Sequence, residues 1–301
     1  LVNTTTGGAP GRNTLMSSGD ARGFILVAPS APVAGERLPV VFLWHHMGSE
    51  ADTFLQMDYL AAATDEFRFI AVLPESLDDL AVSIPGVGMF GWEWPWRVAD
   101  SAAREAEELQ FFDDMLACVA AEYDVNEQCI STGGVSAGGL WQPILAAGRS
   151  RRLASVMSLS GGVDEASSFG AFLGFDAAAW AGAEHRMPFL VVWGGPTDVC
   201  AGLNFQNASR DLAASVATDG HALVECTHNC GHAAPPFDPA RPFFQLVDFV
   251  MNHPYWLADG DSPYEWYGTG LPDSYETWCG MGLGSAVVRT GMCTGAMPCP
   301  L

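Results

Sequence analysis

The stretch CISTGGVSAGG, residues 129–139, decides the fold. Ser136 stands at the centre of Gly134-Val135-Ser136-Ala137-Gly138, a G-x-S-x-G string. Such a string arises often by chance, and its bland reading is a Gly-rich loop. It gains meaning when a strand leads in and a helix leads out, because the serine is then held in a strained turn with its hydroxyl exposed at the end of a sheet. Here CIST supplies the strand, and the small residues of 138–148 supply the helix. Gly134, Gly138 and Gly139 leave room for strand and helix to approach.

Outward from this turn the chain alternates strand and helix. Residues 24–28 read as a strand closed by prolines, and residues 39–44 (PVVFLW) as a strand buried on both faces. Residues 52–65 have helical spacing, and 69–73 form another buried strand. In 101–123 the apolar positions Leu109, Phe112, Leu116, Val119 and Tyr123 step by threes and fours, so an amphipathic helix is expected. Strand-like runs recur at 153–159, 188–193 and 222–226, with helices near 205–217 and 243–252. This order predicts an α/β fold: a mostly parallel central sheet with helices on both faces. Three parts are expected, an irregular leader over 1–20, a catalytic domain over 21–255, and a Cys-rich irregular extension over 256–301 packed on it.

Composition narrows the function. The 301 residues are 49% hydrophobic and 16% charged, enough apolar content for a sizeable core. All 13 basic residues are Arg, against 35 acidic ones, for a net charge of −22. That surface repels phosphate backbones and anionic lipid headgroups, so neither a nucleic acid nor a membrane is expected as partner. No apolar run approaches membrane-spanning length. The even number of Cys, 8, with no C-x-x-C pair and three in the last 23 residues, points to bridges and an oxidising compartment. The chain begins at Leu1, as a processed chain would, and a secreted monomer is expected.

A serine hydroxyl becomes a nucleophile when a base takes its proton. Asp198 follows the strand at 188–193 and is the expected acid, with Asp164 as rival; otherwise it is a turn residue near Pro196. His232 sits in a Gly-His-Ala-Ala loop past the last strand and is the expected base, ahead of His228. The segment Cys226-Thr-His228-Asn-Cys230-Gly-His232 alternates zinc-type ligands, but ligands at every second residue rarely close a tetrahedron, so no metal is expected. An oxyanion needs backbone N–H donors already in place. Ala137, after the nucleophile, offers one, and Met47 in the loop HHMG after Trp44 offers the other. Trp92, Trp94 and Trp96 alternate in one loop, and Trp141 and Trp193 flank the serine and the acid. They suit a flat aromatic platform for substrate, with core packing as the alternative.

Taken in chain order, PVVFLWHHMGS, the Trp loop, STGGVSAGG and the Asp198 and His232 loops resemble the α/β-hydrolase superfamily, over roughly residues 20–255. Within it they look most like secreted poly(3-hydroxybutyrate) depolymerases and feruloyl or acetylxylan esterases. The resemblance implies a serine esterase without cofactor, acting on free or polymeric carboxylic esters through Ser136, His232 and Asp198. A peptidase of the same fold, or a retired scaffold that binds glycans or polymers, are the other readings. Where that group has His-Gly, this chain has His45-His46. The resemblance, with their local spacing, also implies a bridge between Cys118 and Cys129. Pairing of Cys200, Cys226, Cys230, Cys279, Cys293 and Cys299 stays open, a link from Cys200 to Cys226 or Cys230 being one option.

Overall fold

Along the third strand, β3 (Leu38–Trp44), successive side chains enter different cores: Val40, Phe42 and Trp44 one, Val41 and Leu43 the other. That alternation is the period of two expected of a strand covered on both faces. The computed structural model describes residues 11–31, 33–55, 59–77, 82–84, 88–90, 96, 102–163, 178–200, 202–238, 244–266, 270–293 and 299. Within them the strands are β1 (Gly11–Ser17), β2 (Asp20–Val27), β3, β4 (Ile70–Pro74), a ribbon of β5 (Val82–Ile84) and β6 (Gly88–Phe90), and β7 (Val125–Val135). They continue with β8 (Ser155–Leu159), β9 (Phe189–Trp193), the short pair β10 (Val199–Cys200) and β11 (Leu203–Asn204), β12 (Leu223–Thr227) and β13 (Cys279–Met281).

Nine of them form one sheet in the order β1-β2-β4-β3-β7-β8-β9-β12-β13. The run from β4 to β12 is parallel, and the outer strands β1, β2 and β13 pair antiparallel. The main helices are α1 (Leu60–Phe67), α2 (Ala102–Ala120), α3 (Ala137–Arg149), α4 (Phe205–Thr218) and α5 (Phe244–Asn252). Helices α2, α3 and α4 share one core, α1 and α5 the other. The order reverses direction between β3 and β7, so the crevice at their carboxyl ends is where this topology builds sites.

Several expectations change. The leader is not irregular over 11–20: β1 and β2 form a hairpin whose turn places Ser18 and Gly19 at φ of 52° and 99°, the positive pair a tight hairpin needs. Arg22 then locks it to α2 through a buried ion pair with Glu108 at 2.9 Å. The single helix expected over 52–65 is a short 3-10 turn, Ala51–Phe54, followed by α1. The extension is not wholly irregular either, since β13 adds the ninth strand.

The bridge between Cys118 and Cys129 is not formed, and both are free thiols. Cys118 packs from α2 against the core that Ile130 also enters, whereas Cys129 stands half-buried where β7 breaks its alternation, its pairing with β3 shifting register between Val125 and Ile130. Instead Cys200 pairs with Cys299, Cys226 with Cys279, and Cys230 with Cys293. Cys200 is thus joined to neither of the partners suggested for it, and all three bridges run into the extension.

Candidate active site

Ser136 caps the strand β7 at φ 56° and ψ −116°, outside the regions ordinary residues prefer. Two contacts keep it there. Its amide donates to Leu159 O at 2.9 Å, and its carbonyl accepts the first bond of α3 from Leu140 at 2.8 Å. The glycines on either side are required by packing. A Cβ on Gly134 would lie 2.3 Å from Gly138 O, and one on Gly138 would lie 2.1 Å from Trp44 O. Pro143 lies inside α3 and cannot bond Gly139 O, and Ser158 Oγ fills that role at 3.0 Å. Trp44 Nε1 donates to Thr132, Thr132 to Gln142 Oε1, and Gln142 Nε2 to Gly138 O, a buried chain that joins β3, β7 and α3.

His232 Nε2 stands 2.9 Å from Ser136 Oγ, and its Nδ1 stands 2.7 Å from Asp198 Oδ1. An ionised carboxylate can only accept, so Nδ1 carries the proton and Nε2 is left as the acceptor for the serine hydroxyl. Asp198 is fully buried, and its second oxygen accepts from Gly194 N–H at 2.7 Å and Ser160 Oγ at 2.9 Å. Phe205, the first residue of α4, lays its ring 4.2 Å from that of His232 and anchors its amide on Asp198 O. Such a relay can take a proton from a hydroxyl and return it. The rival acid Asp164 lies outside the described residues.

His228 is oriented for another task. It is fully buried, and Cys230 N–H donates to its Nδ1 at 3.2 Å, shaping the turn that leads to His232. Burial, opposed by the nearby Asp198, pushes its pKa down to about 4, so the ring stays neutral. Disulfides frame the same loops. Cys230 lies two residues before His232 and Cys200 two after Asp198, and both are bound to the extension. Both zinc-type cysteines of the alternating segment are therefore spent in bridges.

Met47 lies in the loop after β3, whose backbone is pinned from several sides. Trp96 Nε1 donates to His45 O at 2.9 Å, His45 Nδ1 to His46 O at 2.9 Å, and His46 Nδ1 to Met47 O at 2.9 Å. Glu75, at the end of β4, accepts from Ala51 N–H at 3.2 Å and lies 3.7 Å from His45 Nε2. The loop takes its positive φ at Gly48 rather than at His46, so histidine fits where the resembling group has glycine. Ala137 opens α3 directly after Ser136.

The tryptophans divide. Trp96 is fully buried and meets Trp44 edge-on at 4.8 Å, so it packs in the core and supports the loop rather than a substrate platform. Trp141 is also fully buried and Trp193 is 5% exposed, because both point inward from α3 and β9. Trp92 and Trp94 lie outside the described residues. Sequence reasoning missed Ser160, Gly194, Gln142 and Glu75. Ser160 alone carried a signal, its place at a strand end in LSGG beside the elbow.

No family model matches the chain. Among curated proteins, an oxidized polyvinyl alcohol hydrolase of Pseudomonas sp is 27% identical over 243 residues, 65% of this chain and 61% of that protein. The match thus spans about three fifths of that relative's length. Among solved structures, native pOPH superposes with a TM-score of 0.70 at 19% identity, covering 94% of this chain and 97% of that one. The CE1 ferulic acid esterase of Anaeromyces mucronatus, in complex with ferulic acid, superposes at 0.56 and 15% identity, covering 84% and 94%. With a mostly parallel sheet and a serine in the turn from β7 into α3, the chain has the α/β-hydrolase fold that these solved proteins share.

Proposed function

We propose that this chain is a serine hydrolase of carboxylic esters. The observation that carries the reading is the unbroken hydrogen-bonded chain from Ser136 Oγ through His232 to Asp198. In this mechanism His232 takes the hydroxyl proton as Ser136 attacks the ester carbonyl, and Asp198 stabilises the imidazolium. Amides of Ala137 and Met47 bind the oxyanion, and His232 returns its proton to the leaving alcohol. Water then enters and attacks the acyl carbonyl as the same imidazole takes its proton, and that proton passes to Ser136 Oγ as the bond to the acyl group breaks and the acid leaves. None of these steps calls on a cofactor.

The substrate class we assign is an ester of a polymer, either a polyester or an acetyl or feruloyl ester of plant polysaccharide. The reading is supported by a ferulic acid esterase among the solved proteins that share this fold, and by a curated relative that is an oxidized polyvinyl alcohol hydrolase, an enzyme named for a polymer. Three disulfides fit a secreted protein, since such bridges persist in oxidising compartments. We assign the catalytic unit to residues 21–255, with 256–301 as a clasp, acting as a monomer. No helix among the described residues is long and apolar enough to cross a membrane.

The test is hydrolysis of p-nitrophenyl acetate and butyrate, with and without a serine-reactive phosphonate, followed by mass mapping of the label. Turnover blocked in step with labelling of Ser136 is expected. A folded protein with no turnover and no label would favour the non-catalytic binding scaffold instead.

A further inference from the structure

The nucleophile and the acid are held by two successive residues at the end of β8. Leu159 O accepts the amide of Ser136 at 2.9 Å, and the next side chain, Ser160 Oγ, donates to Asp198 Oδ2 at 2.9 Å. Ser160 N–H in turn bonds Val192 O at 2.7 Å, on the strand that leads into the acid loop. Ser160 is 2% exposed and holds φ at 43°. That left-handed backbone is disfavoured for any residue with a Cβ and free for glycine. Strained residues of this kind persist where their surroundings over-determine them, and they cluster at functional sites. A serine kept in a conformation suited to glycine calls for a use of its side chain, and the only hydrogen bond of that side chain among the described residues goes to the acid.

We infer that Ser160 is a positioning residue for the ester hydrolysis proposed above, on which this inference rests. Its hydroxyl and Gly194 N–H together occupy Asp198 Oδ2, which turns Oδ1 toward His232 Nδ1 and stops the carboxylate from rotating. Because Leu159 holds the nucleophile's amide, one short segment sets the distance between the two ends of the relay. The other strand ends near the site supply one member each.

The experiment separates hydroxyl from backbone. Ser160→Gly relieves the φ and removes the hydroxyl, whereas Ser160→Thr keeps the hydroxyl on a backbone less suited to it. With p-nitrophenyl butyrate, Ser160→Gly is expected to lose about tenfold in kcat with KM unchanged, the effect of one charge-assisted hydrogen bond. Its rate of phosphonate labelling at Ser136 should fall in the same ratio, although no substrate binding is involved. Ser160→Thr should show a lower melting temperature and nearly native kcat. A native kcat in Ser160→Gly, with Ser136→Ala inactive, would overturn the role of the hydroxyl. Equal kcat losses in the Gly and Thr variants would also overturn it, in favour of a backbone effect. Full turnover by Ser136→Ala would remove the hydrolase reading itself, and this inference with it.

Discussion

His232 Nε2 and Ser136 Oγ, 96 residues apart in the chain, meet at 2.9 Å over the carboxyl ends of β7 and β12. No local preference brings them together. The elbow places the serine, and the turn after β12, shaped by His228 and Cys230, delivers the imidazole.

Replacing Ser136 or His232 by Ala is expected to cut kcat by at least about a thousandfold with little change in melting temperature, because members of such a relay act as a unit. His228→Ala should do the reverse. Its ring is buried and neutral, so its loss leaves a cavity and frees the Cys230 amide. Melting temperature should fall, and kcat should change by no more than tenfold (roughly one hydrogen bond's worth). Paired kinetics and calorimetry check both.

Thiol counting tests the disulfide pattern. Under denaturing, non-reducing conditions a thiol reagent should find Cys118 and Cys129 and leave the other cysteines unlabelled. In the native state both should react slowly at neutral pH, since burial pushes each thiol's pKa up. Replacing Cys230 and Cys293 together by Ser should cost about 2–5 kcal/mol, the usual loss for a native bridge. Activity should fall further than that stability loss alone explains, because the bridge lies two residues from the proposed base.

Acid should act on the fold through two buried imidazoles. Burial holds His228 and His253 at pKa values of about 4, below the ordinary 6.5. The unfolded chain therefore binds protons that the folded chain refuses between those values. Stability is full above pH 6.5 and falls toward pH 4, by up to about 1.4 kcal/mol per pH unit for each imidazole. Urea midpoints measured from pH 7 to pH 4 should drop across this window. A His253→Gln variant should show a shallower decline.

Trp96→Ala should behave as a core mutation. The indole is fully buried and bonded to His45 O, so truncation should cost about 3–5 kcal/mol. Rates on an acetyl ester and on a long aromatic ester should fall together, because the loop that carries Met47 loses its support. A selective loss on the long ester alone would return Trp96 to the substrate surface.

The sequence by itself determined the parallel heart of the sheet and the elbow at Ser136, and it ranked Asp198 and His232 ahead of Asp164 and His228 by their places after strands. The strands and the elbow are local features. Buried parallel strands read as apolar runs, and a strained strand–turn–helix with Gly134 and Gly138 has few substitutes. What tertiary structure decided depends on contacts between distant segments. A buried indole and an exposed one have the same letter, so Trp96 read equally as platform or core until its packing on Trp44 was seen. Cysteine pairing depends on which segments approach, and Cys118 and Cys129 stayed free while the extension reached both site loops. The hairpin at β1 required a partner strand to turn a polar leader into structure. Gly194 reaches Asp198 within one turn, but Ser160 reaches it from the end of β8, and only the folded sheet sets that strand end beside the end of β9.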